Sequence, residues 1–231
     1  MSSYPTSRIE IDKLRLEDIY QMSNWGRHKS LLFKDYNFPV MDDRQIYEWY
    51  RFKVKTKNKK SFSIKLQDGK LIGYLTIREI KKIRRISTLG LVLDPNYMNN
   101  GYGTEALLTF LDHYFKVLNM KKMILQVAKF NKRAIKCYEK CGFKLIKEYY
   151  EYMDVQDIDL EEELDQNEVN ENFRIRKGIK YMGFYKMEIN SEEFETRTKG
   201  ISQNVYNFVD MWKRFKASPQ YIDNNKLKNT P

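Results

Sequence analysis

Hydrophobic positions along the chain change period several times, and the changes outline an alternation of strands and helices. Arg8–Leu14 alternates apolar and polar side chains as a short strand does. Leu16–Trp25 and Asp42–Phe52 instead repeat at helical spacing, the second with Ile46, Trp49 and Tyr50 on one face. Between them His28–Val40 is aromatic and irregular and closes at Pro39, and the basic run Lys53–Lys60 reads as a solvated loop. Ser61–Gln67 and Lys70–Ile80 flank an Asp68-Gly69 turn, which predicts a hairpin. Ile83–Leu93 is a third strand; its second half, Leu89-Gly90-Leu91-Val92-Leu93, is apolar on both faces and belongs at the centre of a sheet.

After Asp94-Pro95 the period turns helical over Thr104–Leu118. A buried strand, Lys122–Val127, a helix, Asn131–Cys141, stopped by Gly142, and a strand, Phe143–Met153, come next. Residues 154–171 hold Asp154, Asp157, Asp159, Glu161, Glu162, Glu163, Asp165, Glu168 and Glu171 without one Lys or Arg, the pattern of a solvated loop. Tyr181–Ile189 regains strand character, so the acidic segment 154–174 is expected to be an enlarged hairpin connection between the last two strands. Asn190-x-x-Glu193 resembles a capping box and starts a helix expected to run to about Lys216, before a polar tail with Pro219. The chain thus divides into a main domain, 1–190, and a C-terminal helix and tail, 191–231.

With 231 residues and 42% hydrophobic positions the chain can build a core, which excludes wholesale disorder. The excess of 42 basic over 31 acidic residues lies in the first 150 positions, while acids prevail beyond them. A basic body suits nucleic acid, an anionic membrane surface or a phosphate-rich small ligand, and composition does not choose. Cys137 and Cys141, with His28 and His113 far off in sequence, are too few for a structural zinc site or a disulfide framework, so no metal is expected. The N-terminus lacks the apolar stretch of a signal peptide and no segment approaches the ~20 apolar residues of a membrane span, which makes a cytoplasmic protein without a membrane partner the expectation.

The informative unit is the buried strand, the short polar loop, Gly101-x-Gly103 and the amphipathic helix. Two glycines at a strand-to-helix turn let backbone N–H groups and the positive end of a helix approach an anion, most naturally a pyrophosphate. No third glycine completes a dinucleotide fingerprint, and no Gly-Lys-Ser/Thr makes a P-loop.

The stretch from Leu89 through Asp94-Pro95 to Gly101-Tyr102-Gly103-Thr104-Glu105-Ala106-Leu107 resembles the acetyl-CoA-binding motif of the GNAT superfamily of N-acetyltransferases. Asn131-Lys-Arg-Ala-Ile-Lys-Cys-Tyr-Glu-Lys-Cys-Gly-Phe143 matches the same family's second signature. The resemblance covers roughly 60–153, is looser over 8–59, and leans towards enzymes that acetylate ribosomal-protein N-termini and small amines. It implies an α/β (α+β) GNAT fold, a central mixed, mostly antiparallel, twisted sheet flanked by helices, here with a C-terminal helical extension. It also implies transfer of acetyl from acetyl-CoA to a primary amine by direct attack in a ternary complex. Backbone groups of Leu91, Val92 and Leu93 would run beside pantetheine as an added strand. Met98, Asn99, Asn100, Gly101, Tyr102, Gly103 and Thr104 would form the pyrophosphate loop, Asn131 would meet the pantetheine arm, Ala134 would leave it room, and Tyr138 would protonate the departing thiolate. Met98 stands where the family has Arg or Gln; Lys132 and Arg133 are nearby cations.

Relatives place a basic Glu on the central strand, where this chain has Thr88; Glu79 and Glu148 are candidates on adjoining strands, and each also suits a surface partner of a lysine. Glu105 suits the helix dipole. The resemblance puts the acceptor site between Trp25–Trp49 and the 149–189 region, where Trp25, Phe33, Tyr36, Phe38, Tyr47, Trp49, Tyr149, Tyr150 and Tyr152 serve either core or pocket. The acidic run would attract a polycationic acceptor. Two other readings stay open: an RNA- or ribosome-associated basic module using Lys53–Lys60 and Lys81–Arg85, and an inactive acyl-CoA-binding regulator. The chain is expected to be a monomer or homodimer.

Overall fold

A computed structural model describes residues 7–198. The strands are β1 (Ile9–Lys13), β2 (Lys60–Leu66), β3 (Leu71–Lys81), β4 (Ile86–Leu93), β5 (Lys122–Ala128), β6 (Lys144–Tyr152), β7 (Phe173–Arg176) and β8 (Ile179–Asn190). The helices are α1 (Leu16–Met22), α2 (Asp43–Val54), α3 (Tyr102–Asp112), α4 (Lys132–Cys141), α5 (Gln166–Asn172) and α6 (Ser191–Thr198). One mostly antiparallel sheet runs β1-β2-β3-β4-β5-β8-β6, with β7 taking over the edge of β8 that β5 leaves; the single parallel pairing joins β4 and β5.

Alternation along β3 sorts the layers. Leu75 and Ile77 point into the main core, where Phe110 and Tyr114 from α3, Tyr138 from α4 and Met187 from β8 are buried together. Tyr74 points to the other face, into a smaller cluster with Ile19 and Met22 of α1 and Ile46 of α2. Asp42 caps α2 in a box with Gln45 that the sequence reading did not anticipate. The Asn190–Glu193 box forms as well, and Phe194 of α6 is fully buried against Phe115. The expected continuation of that helix to Lys216 and the tail with Pro219 lie outside the described residues.

Several expectations need correction. The third strand begins at Ile86, not Ile83, because residues 82–85 form a turn with Arg85 at φ 58° and Ile83 almost fully in solvent. The first helix ends at Met22, and Trp25 folds back to donate its indole N–H to the Leu71 carbonyl at 3.3 Å. The helix expected over Thr104–Leu118 starts at Tyr102 and widens to π geometry over His113–Val117. The basic run is not wholly a loop: Lys53 lies in the last turn of α2, its ammonium over the rings of Trp49 and Tyr74, and Lys60 opens β2.

The largest correction concerns the acidic segment, which does join β6 to β8 but is folded. Ile158, Leu160, Val169 and Phe173 are buried in a second core with Ala128, Phe130 and Met153. Apolar residues spaced among the acids carry this structure, and the net charge of the run hid them. Asp165 then caps α5 in a box with Glu168.

Candidate active site

β4 pairs with β5 only from Ile86 to Leu89, the last partners being Leu89 and Leu125. Beyond them β4 stays bonded to β3 as far as Leu93, and β5 to β8 as far as Ala128, so the strands part. The backbone of residues 90–93 therefore has a ladder edge that no strand among the described residues fills. A cleft of about 680 Å³ opens there. Leu91, Val92, Leu93, Met98, Asn99, Gly101, Gly103 and Thr104 line one side, and Gln126, Val127, Asn131, Ala134, Cys137 and Tyr138 the other.

The loop from β4 to α3 is shaped for an anion. Asn99 and Gly101 take left-handed backbone, φ 64° and 81°, and Gly101 precedes α3 without a side-chain cap, leaving the first N–H groups of the helix unclaimed by side chains among the described residues. A Cβ on Gly103 would lie 3.3 Å from Leu93 Cδ1 and 3.4 Å from Cys137 Sγ, so glycine keeps this approach open. Asn100 and Tyr102 do not line the cleft. They face Arg8, which donates to the Asn100 carbonyl at 3.1 Å and lies 4.5 Å from the Tyr102 ring centroid. Arg8 also forms a 2.7 Å ion pair with Glu105, so Glu105 anchors the first strand to the phosphate-type loop. Buried Asp94 fastens a second region to the loop by accepting from the Gly26 and Asn96 N–H groups, both at 2.9 Å.

Lys132, Arg133, Lys136 and Lys140 on α4 add positive charge, and no Asp or Glu lines the cleft among the described residues. Asn131 spends its side-chain oxygen capping α4 at the Ala134 N–H. The Tyr138 hydroxyl makes no hydrogen bond among the described residues, and burial, reinforced by Cys137 and Tyr36, pushes its pKa well up. It is thus a neutral donor with nothing yet to donate to. Next to it, the hydrogen bond from Cys141, opposed by burial but helped by Thr104 and Lys140, brings the Cys137 thiol down to about 7.

The sequence motifs located this side; of the remaining walls, which come from distant segments, sequence reasoning offered Phe33 and Tyr36 as candidates and missed His28 and Arg78. His28, Phe33 and Tyr36 reach the cleft from the α1–α2 loop and Arg78 from β3. Trp25, Phe38 and Trp49 are core around Tyr74, and Tyr47 and Tyr152 are exposed, so only Phe33 and Tyr36 of the aromatic candidates line the cleft. A ladder of rings, Phe173–Phe130–Phe33–His28, ties the α1–α2 loop to the folded acidic segment, helped by the Leu31 N–H on Glu163. Of the base candidates, Glu148 is held by buried Lys129 at 2.7 Å and the Tyr150 hydroxyl at 2.9 Å. Glu79 accepts from Thr88 Oγ1 at 2.8 Å, one residue before the strands part.

A sequence model described as an acetyltransferase (GNAT) domain matches residues 8–144. The chain belongs to the GNAT acetyltransferase family. This acetyltransferase is 24% identical over 157 residues to the spermidine N(1)-acetyltransferase of Vibrio cholerae, covering 65% of this chain and 91% of the relative. It is 25% identical over 137 residues to the enzyme of the same name from Escherichia coli K12, covering 59% and 73%. A crystal structure of the Vibrio cholerae spermidine N-acetyltransferase in complex with CoA and spermine superposes with TM-score 0.61 at 20% identity, over 81% of this chain and 98% of that one. That likeness shows the shared fold. As an acetyl-CoA-dependent N-acetyltransferase, the chain has what CoA requires: an open strand edge, a glycine cradle at an uncapped helix start, and cations beside it. Among the described residues no helix is long and apolar enough to cross a membrane.

Proposed function

We propose that the enzyme acetylates a primary amine on a small molecule, with Glu79 receiving the amine's proton and Tyr138 supplying one to the leaving sulfur. The observation that carries this reading is the Thr88–Glu79 hydrogen bond at the point where β4 and β5 separate. Thr88 occupies the central-strand position expected of a base, and it binds the carboxylate that the next strand provides. Acetyl-CoA contributes the activated acyl group as a thioester.

Glu79 gets there through a bulge. The β3–β4 register shifts between Arg78 and Lys81, and Glu79 adopts φ 55°, a left-handed conformation that is uncommon for a residue other than Gly or Asn. Its carboxylate is exposed to solvent, and the Thr88 hydroxyl fixes its position. Tyr138 sits on the cofactor side with its proton retained, as a general acid requires. Cys137 and Cys141 take no part in a direct transfer, which needs no acyl-enzyme.

The test is CoA-thiol release from acetyl-CoA with a panel of spermidine, spermine, aminoglycosides, amino sugars, amino acids and peptides, followed as a function of pH. The spermidine-acetylating relatives make polyamines the reference class. In Glu79→Gln, kcat/KM for the best amine should fall about 10²-fold and lose its acidic limb, with the acetyl-CoA-induced rise in Tm retained. An unchanged pH profile rules Glu79 out as the base, and absence of any Tm rise with acetyl-CoA in the wild type rules out the reaction.

A further inference from the structure

The charge around the cleft does not match a polycationic acceptor. The α4 cations stand beside the phosphate-type loop, but Arg78 enters from β3, on the far side of β4. It is paired opposite Thr88, and Thr76, two residues earlier on the same face, is opposite Gly90. A Cβ built on Gly90 meets nothing within 4 Å, so an open floor lies beside the guanidinium. Arg78 forms no ion pair and no hydrogen bond among the described residues.

Its surroundings increase the positive field. Burial, followed by the charges of Lys59 and Arg78, brings Lys53 down to about 8, and burial with Arg78 also lowers Lys59. Lys147 and Lys186 are paired with each other across β6 and β8, and alternation puts both on the side of Tyr149. The Tyr149 hydroxyl is buried without a hydrogen-bond partner among the described residues. Burial and Glu151 push that phenol up, and Arg78 pulls it back, so the guanidinium and the phenol are within electrostatic reach. A buried donor left unpaired costs free energy, which a ligand acceptor would recover. Glu79, adjacent to Arg78, provides the only carboxylate hydrogen-bonded to Thr88 among the described residues. The cleft therefore presents a guanidinium without an acceptor at the open floor of Gly90, with the unpaired Tyr149 hydroxyl within its electrostatic reach and the Glu79 carboxylate next to it in sequence, both outside the cleft lining.

We propose that Arg78 and Tyr149 hold an oxyanion of the acceptor, so that the substrate is an amine that also bears a carboxylate or phosphate a few bonds away. This rests on the acetyl-transfer reading above and narrows it. Two donors, one cationic and one neutral, match the two oxygens of such a group, and the guanidinium favours planar carboxylate geometry. A diamine of the same length would meet unpaired positive charge there.

Matched acceptors test it: lysine against 1,5-diaminopentane, ornithine against 1,4-diaminobutane, and 2-aminoethyl phosphate against ethanolamine, with spermidine as reference. The wild type should prefer the anionic member of at least one pair by about tenfold or more in kcat/KM. The first two pairs report a carboxylate and the third a phosphate. Arg78→Ala should bring that ratio close to one, Arg78→Lys should restore part of it, and Tyr149→Phe should reduce it severalfold, all with the wild-type Tm rise on adding acetyl-CoA. Spermidine turned over as well as the best anionic acceptor, or a ratio that survives Arg78→Ala, overturns the subsite and leaves acetyl transfer standing. No CoA release with any amine overturns both.

Discussion

The two sides of the cleft are built on different principles. The proposed cofactor side uses backbone: a strand edge at residues 90–93 bare among the described residues, left-handed turns at Asn99 and Gly101, and the open start of α3. The proposed acceptor side uses side chains sent from separate places: Phe33 and Tyr36 from one loop and Arg78 from β3 line the cleft, while Glu79 on the bulge and Tyr149 on β6 stand outside that lining. A backbone cradle demands glycines and small residues at fixed spacing, so it leaves a motif in the chain. Convergent side chains leave none.

The largest predicted effect attacks the cofactor side. Gly101→Val forces a β-branched residue to φ 81°, at roughly 1–2 kcal/mol for the left-handed backbone alone, or displaces the N–H groups that meet the anion. Acetyl-CoA affinity should fall at least 100-fold by calorimetry, equally whichever amine is present. An affinity within threefold of wild type would show that the cradle is not backbone-made. Tyr138→Phe comes next: kcat should drop about 10²-fold, while KM for acetyl-CoA stays within twofold, because only the proton donor is lost. A proportionate rise in that KM would make Tyr138 a binding residue instead.

This division also explains what could be read from the sequence. The strand–Gly-x-Gly–helix unit and the Asn131-to-Tyr138 helix were legible because helical period and glycine spacing are local properties. Gly142, at φ 99°, ends α4 where the sequence places its stop. The parting of β4 from β5 was not legible, since pairing partners are a long-range property. Nor was the folded acidic segment: Ile158, Leu160, Val169 and Phe173 are too few to show a period, and the core they fill is completed by Ala128 and Phe130 from elsewhere. Arg8 was read only as part of a strand, because its bond to Glu105 reaches across 97 positions of the chain. Glu79 was visible as a candidate, but the bulge that brings it to Thr88 has no sequence mark.

The ring ladder makes the acidic segment a support for the acceptor side, and this sharpens the contrast. Phe173→Ala should cost roughly 3 kcal/mol of stability by emptying the second core. Loosening Phe130 and then Phe33 should raise KM for the amine about tenfold and leave acetyl-CoA affinity within threefold. Equal losses for both substrates would mean that the two sides are one cooperative unit.

The smallest effect uses Cys137 as a reporter on the boundary. Its thiol lines the cleft at the glycine cradle, while Cys141 is buried and its thiol pushed up, first by its hydrogen bond with Cys137 and then by burial. The thiolate is the reactive form, so with Cys137 titrating at about 7 its alkylation by iodoacetamide should accelerate roughly tenfold from pH 6 to pH 8 and then level off. Replacing Cys141 by Ala removes the hydrogen bond that lowers Cys137 most, and the inflection should move to higher pH. Acetyl-CoA should slow the reaction severalfold by covering the thiol, and amines alone should not, because the acceptor mouth lies across β4. Protection by an amine, or a rate that climbs past pH 9 without levelling, would place Cys137 outside the cofactor half and erase the boundary between the two sides.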